Sequence, residues 1–313
     1  MKKILIATTA LVATAGVAAA DVKLSGYARF GALYSDNVAP GADDINTASR
    51  LRLQFDATTE TDGGLTLGAR LRVQAEENNG VGNFNTARFF ASAGGLTIAM
   101  GNILGVIEAA PNLYLPTKSA GVGLEGNGFS SLAANTVSNS GSFGWTAYQS
   151  AGFSTAASAV DGVEVLYSMN GIGLHAHSTD TSYGLGASYK FADYTAAIAY
   201  EEWTRGTRDG ESVLFLSFGG KFGAFDGAIS YAETDYNLIT AEKWSLRGGY
   251  TVNDALYVYG FLADENNGIS ETYGLGASYA LGGGASIEAG WSSNRNAANE
   301  ETNLVSAGIF FSF

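Results

Sequence analysis

Apolar residues recur at every second position through most of this chain, and few folds tolerate that pattern over so much sequence. The final segment is the clearest case. Val305, Ala307, Ile309, Phe311 and Phe313 fall on one face of an extended strand, opposite the smaller, more polar face of Leu304, Ser306, Gly308, Phe310 and Ser312. One such strand would also suit the edge of a soluble sheet. The same alternation returns in Val22–Tyr34 against Lys23, Ser25, Tyr27 and Arg29, and in Leu51, Leu53 and Phe55 against Arg50, Arg52 and Gln54. It continues in Leu65–Ala75, Tyr183–Phe191, Trp244–Tyr250 and Ala285–Trp291. A wall with lipid on one side and water on the other demands this pattern.

The connections alternate as well. Short turns are expected at Thr61–Gly63, Gly94-Gly95, Asn170-Gly171, Ala192-Asp193, Gly223-Ala224, Asn253-Asp254 and Gly282–Gly284. Longer, acid-rich links are expected around Asp36–Thr47, Glu77–Asn83, Trp203–Gly210, Thr234–Ala241, Asp264–Ser270 and Arg295–Glu301. Short turns on one rim and long loops on the other predict an all-β transmembrane antiparallel barrel of sixteen strands. Residues 102–162 form one very long third loop in this count, and its length is explained if it folds into a lumen too wide to fill with wall side chains. Were Phe143–Gln149 and Phe153–Val160 a further hairpin, the count would be eighteen.

Lys2 and Lys3, the apolar run Ile4–Val17 and Ala18-Ala19-Ala20 have the form of an export signal over residues 1–20, leaving residues 21–313 as the barrel. With no cysteine, disulfide stapling is excluded. Forty-two Gly against three Pro, with 16 Tyr and 17 Phe, suits strands and tight turns. Hydrophobic content of 46% fits lipid contact only because polar residues occupy the alternate positions.

Arg29, Arg50, Arg52, Arg70, Arg72 and Arg88 all fall on the polar face, on four successive strands. So many guanidinium groups on one wall need water or counter-charge. Carboxylates of the long loop are the expected partners, Glu108 and Glu125, with Asp161 at its end. Such a cross-field in a narrow pore sorts solutes by charge. More than half of the 30 acids cluster toward the long-loop rim, among them Asp43, Asp44, Glu76, Glu201, Glu202 and Asp264. This anionic mouth offers calcium ligands, with Asp264 and Asn266 the candidates, although the stretch lacks a full EF-hand pattern. No other cofactor is called for.

Other patterns lead nowhere. Gly121–Gly126 matches a dinucleotide fingerprint but follows no buried strand. His175 and His177 share a polar strand face, and two ligands are too few for zinc. No catalytic constellation is present, so an enzyme is not expected. Basic residues without stacking platforms make no case for nucleic acid.

Taken in order, Asp21–Gly31, Ser49-Arg50-Leu51-Arg52, Met100-Gly101, the repeated Tyr183–Tyr189 and Tyr273–Tyr279, and terminal Phe313 resemble the Gram-negative general porins of the alphaproteobacterial branch. The resemblance implies an outer-membrane homotrimer of sixteen-stranded barrels. Each would pass small polar solutes and ions passively, through a pore narrowed by the third loop. It implies basic wall residues (the six arginines) facing Glu108 and Glu125, and a Phe313 read by the barrel-assembly machinery. It also implies contact with outer-membrane lipid and lipopolysaccharide. The long loop is poorer in acids than the family pattern. The alternatives are an anion-selective porin and a structural or adhesive barrel plugged by its own loop.

Overall fold

The computed structural model describes residues 20–76, 79–114, 144–148, 161–236, 239–265, 269–295 and 300–313. The expected export signal therefore lies outside the described residues, Ala20 apart. Nearly everything described is strand. The segments are β1 (Asp21–Ser35), β2 (Ile45–Glu60), β3 (Thr66–Glu76), β4 (Asn79–Phe84), β5 (Arg88–Ala93) and β6 (Leu96–Asn102). Beyond the long connection come β7 (Asp161–Met169), β8 (Ile172–Thr179), β9 (Ser182–Phe191), β10 (Tyr194–Trp203), β11 (Ser212–Phe222) and β12 (Phe225–Tyr236). The chain ends with β13 (Ile239–Thr251), β14 (Leu256–Glu265), β15 (Ile269–Gly282), β16 (Ala285–Arg295) and β17 (Glu301–Ser312).

Neighbouring segments pair antiparallel, and β17 returns to pair with β1. Both β4 and β5 pair with β3, at residues 73–76 and 66–70, so they are two halves of one wall strand interrupted at residues 85–87. The ring is thus a closed barrel of sixteen strands. Eighteen is excluded, because β6 pairs directly with β7 and leaves no gap in the wall for a hairpin from the long connection.

The period-two pattern faces as expected. Leu24, Phe30, Leu51, Leu185, Leu246, Leu275 and Phe313 are exposed on the outside, where lipid would cover them. The expected turns are all present as short links. Several expected long loops are not. β4 occupies most of Glu77–Asn83, and the ladders of β12–β13 and β14–β15 run on to residues 236 and 239 and to residues 265 and 269. Acidic residues with poor strand propensity are carried there by continued ladder pairing, which propensity alone does not register. The wall is uneven: β1 and β2 have 15 and 16 residues, whereas β5 and β6 have 6 and 7.

The polar face of the wall carries an apolar patch. Ala199, Trp203, Val213, Phe215, Ala232 and Ala241 of β10–β13 pack against Val106, Ile107 and Leu113 of the long connection. Burial of these side chains is what holds residues 103–114 against the wall. Phe215→Ala, which empties a fully buried position, is expected to cost about 3–5 kcal/mol of that packing. Limited proteolysis should then cut within residues 103–114 while strand content by circular dichroism is kept; unchanged protease resistance there would refute this anchoring.

Candidate functional site

All six arginines project from the inner face of β1, β2, β3 and β5. Register pairs Arg29 with Arg50 and Arg70 with Arg88, like charges directly opposite each other. Such pairs repel and need compensation. It comes from within the wall. Arg50 Nε lies 2.5 Å from Glu76, and Arg70 Nε lies 2.6 Å from Asp56. Between them, Arg52 donates to Gln74 at 2.5 Å and Arg72 donates to Gln54 at 2.7 Å. Gln74 in turn donates to Glu76, and Gln54 to Asp56 at 2.6 Å. Two chains result, Arg52–Gln74–Glu76–Arg50 and Arg72–Gln54–Asp56–Arg70. Arg88 reaches over the small inner-face residues of β6, Ala99 and Gly101, to buried Glu164 of β7 at 2.7 Å.

The expected counter-charges from the long connection are placed otherwise. Glu108 accepts hydrogen bonds from Tyr114 Oη at 2.6 Å and Trp145 Nε1 at 3.0 Å. It makes no ion pair with the described arginines, but Arg72 and Arg52 lie close enough to act on it electrostatically. Burial pushes its carboxyl above the usual range, against the pull of those two hydrogen bonds and the two arginines. Burial beside Glu108 pushes the Tyr114 phenol up as well. Glu125 lies outside the described residues. Asp161 opens β7 opposite Asn102 and is exposed.

The described parts of the connection touch both sides of the barrel. Tyr148 sits under the Arg72 guanidinium, 4.6 Å from ring centroid to Cζ. Two residues earlier, Thr146 donates from its backbone N to Glu201 of β10 at 3.0 Å and from Oγ1 at 2.6 Å. Gly105, with φ of 78°, has Thr146 packed where a side chain would stand, so the two pieces of the connection interlock. Where the connection leaves β6, Leu104 N donates to Glu164 at 3.1 Å and Val106 N donates to His177 Nδ1 at 3.1 Å. His175 Nε2 is 2.9 Å from the same Glu164. At the far end Ser217 and Ser230 donate to the Pro111 and Asn112 carbonyls at 2.7 and 3.1 Å.

Four residues here do not stand out as site residues in the sequence: Glu164 belongs to no pattern, Glu201 falls among the acids of the mouth, and His175 and His177 form only an incomplete zinc set. Each lies at an inward position of a period-two strand, where a charged or aromatic-nitrogen side chain must find a partner, and that was the available signal. Asp264 stands opposite Trp244 near the end of β14, while Asn266 falls outside the described residues. Among the described residues no three carboxylate or histidine side chains cluster as metal ligands. Phe313 exchanges two backbone hydrogen bonds with Gly26, at 2.9 and 3.1 Å, beside the seam of the barrel.

Glu164 joins Arg88, His175 and the start of the connection in one buried group. Glu164→Ala leaves a buried guanidinium without its carboxylate, an expected loss of about 3–5 kcal/mol. Urea unfolding of the refolded barrel measures it. A double-mutant cycle with Arg88→Ala should give a combined loss well below the sum; strict additivity would show that the two residues act independently.

The sequence profile of the family described as Gram-negative porin matches residues 7–299. A porin of Rhodobacter capsulatus is 30% identical over 303 residues, covering 88% of this chain and 94% of that protein. A porin of Fuscovulum blasticum is 27% identical over 308 residues, covering 94% and 100%. Among solved structures, a mutant of Rh. blastica porin superposes with a TM-score of 0.76 at 28% identity, over 94% of this chain and 100% of that one. Another, from work on asymmetric conductivity of engineered proteins, gives 0.77 at 27% identity over the same shares of each chain. With its closed barrel and outward apolar face, the chain belongs to the Gram-negative porin family, whose members are non-enzymatic channels of the outer membrane.

Proposed function

We propose that the barrel is a general diffusion porin with a water-filled lumen, narrowed where Glu108 and Tyr148 of the long connection approach the arginine-bearing wall. The observation that carries this reading is the juxtaposition of Glu108 and Tyr148 with Arg52 and Arg72. Small polar solutes and ions pass this gap by diffusion alone. The family resemblance extends the reading to a homotrimer exported by a cleaved signal, assembled through recognition of Phe313.

Selectivity in this reading depends on how far Glu108 is ionised. Because its carboxyl is raised, it takes up a proton at a pH above that of ordinary exposed carboxylates. Lowering the pH from neutral therefore neutralises Glu108 before an ordinary exposed carboxylate would be, and the gap becomes more positive. Reversal potentials in a KCl gradient should shift toward anion preference in that first step. Glu108→Gln should hold the shifted value at every pH and remove the step. A wild-type profile that titrates only in the ordinary carboxylate range would reject this role for Glu108. Folded protein giving no steps in planar bilayers would reject the open channel altogether and favour a plugged barrel.

A further inference from the structure

We propose that the inner wall between the end of the long connection and the short-turn rim holds a binding subsite for neutral pyranose sugars. The inference rests on the open-lumen reading for its access route but concerns a different part of the barrel, β9–β16, across from the arginines. A cavity of about 600 Å³ lies there, bounded by Asn112 above and by the turns at Asp193, Gly223 and Asn253-Asp254 below. That volume is in the range of small-molecule sites.

Its lining carries one accessible aromatic face, that of Tyr257 backed by buried Tyr259, rimmed by hydrogen-bonding groups. Tyr257 and Tyr259 of β14 both line the cavity, with ring centroids 5.5 Å apart and planes within 21°. The neighbouring inward position on β13 is Gly249, and any side chain there would collide with the Tyr257 ring. The ring therefore lies flat on the wall, and half-buried Tyr257 turns its other face to the cavity. Tyr257 Oη is held by Asp226 at 2.9 Å. Asp226 also lies 3.5 Å from Arg247 Nη1, and Arg247 Nη2 donates to Asn112 Oδ1 at 3.2 Å. Asn112, in the left-handed region at φ 63°, is fixed by donating to the Thr195 carbonyl at 3.2 Å. The plate and its polar rim are thus built before any solute arrives, which lowers the ordering cost of binding.

Charge decides the class of solute. The cavity is lined by Lys190, Lys221 and Arg247 against Asp193, Asp226, Asp254 and Glu288. Arg247 is paired with Asp226, and Glu288 is buried while accepting from Ser278 and Ser286 at 2.8 and 2.5 Å. The two lysines match the two aspartates at the rim, which leaves Glu288 as one unmatched negative charge, buried behind its two serines. An anion therefore gains no net attraction, and a cation gains only that of a carboxylate set back from the cavity and already hydrogen-bonded. A sugar ring offers a C–H face for the tyrosine plate and hydroxyls that donate to carboxylates and accept from Arg247 and the lysines.

The test is block of single-channel current by cellobiose in symmetric KCl, with a polyethylene glycol of similar size and citrate as comparators. Cellobiose should interrupt the current in discrete events beyond the size-dependent reduction given by the glycol, and citrate should add none at this site. Tyr257→Ala should weaken the block by about 3- to 10-fold, the factor expected of one aromatic stacking contact. Tyr257→Phe, which keeps the plate and loses only the bond to Asp226, should retain it. The proposal is overturned if cellobiose acts no differently from the glycol, if citrate gives the block instead, or if Tyr257→Ala leaves the block intact. Conductance without sugar reports separately on the porin reading. If the folded barrel is silent, equilibrium dialysis of labelled cellobiose against wild type and Tyr257→Ala decides the subsite on its own, saturable binding lost in the variant supporting it and no binding refuting it.

Discussion

A strand edge inside hydrocarbon has no water to satisfy its amides and carbonyls, at several kcal/mol for each bare group. The seam between β1 and β17 removes the edge that a linear chain would otherwise leave. It runs from Tyr27 opposite Ser312 to Ser35 opposite Leu304, and the Gly26–Phe313 exchange extends it to the last residue. The strand that closes the barrel also takes part in placing the charges of the inner face. β1 lies between β17 and β2, so its register places Arg29 beside Arg50 and Tyr27 beside Arg52. A slip of one residue would turn those side chains from the lumen to the lipid. Closure and charge placement are therefore one constraint, satisfied together or not at all.

The next constraint is that like charges in register must be compensated locally. The wall does this with residues two apart on one strand: Gln54 and Asp56 on β2, Gln74 and Glu76 on β3. Side chains at that spacing share a face, so each amide relays between an arginine on the next strand and a carboxylate on its own. The long connection is thereby released from neutralising Arg50 and Arg70, which meet carboxylates of the wall. Its anchoring rests instead on an apolar cluster and on two buried acids, Glu164 of β7 and Glu201 of β10.

Period-two patterning made the wall legible from sequence, because lipid and water impose it on every spanning strand. The tight turns and the sixteen-strand count were read from the same signal, as was the inward face of the six arginines. Pairing partners were not legible. They depend on the stagger between strands, which shifts each residue's neighbour without changing its face. Glu108 was placed at the gap from its position in the loop, but its hydrogen bonds to Tyr114 and Trp145 come from residues 6 and 37 positions away. Such contacts leave no local pattern. The acids at the ends of β12 and β14 have the composition of loops, and only the continuing ladder makes them strand.

The compensation is unequal along the wall, and this bears on what the gap does. Arg50 and Arg70 meet carboxylates, whereas Arg52 and Arg72 meet amides. An amide oxygen satisfies a donor without cancelling its charge, so positive potential remains at Arg52 and Arg72 rather than being spread over the ladder. Those two arginines are the ones that Glu108 and Tyr148 approach. Salt screens the charges of an open mouth far more than those of a confined gap, so in the proposed channel the short-range field of one carboxylate and two guanidinium groups is what a permeant meets there. Ionised Glu108 offsets half of that excess, and protonated Glu108 offsets none of it. The neutral plate at Tyr257 lies on the opposite wall, out of this field, which is where an uncharged solute loses least by lingering.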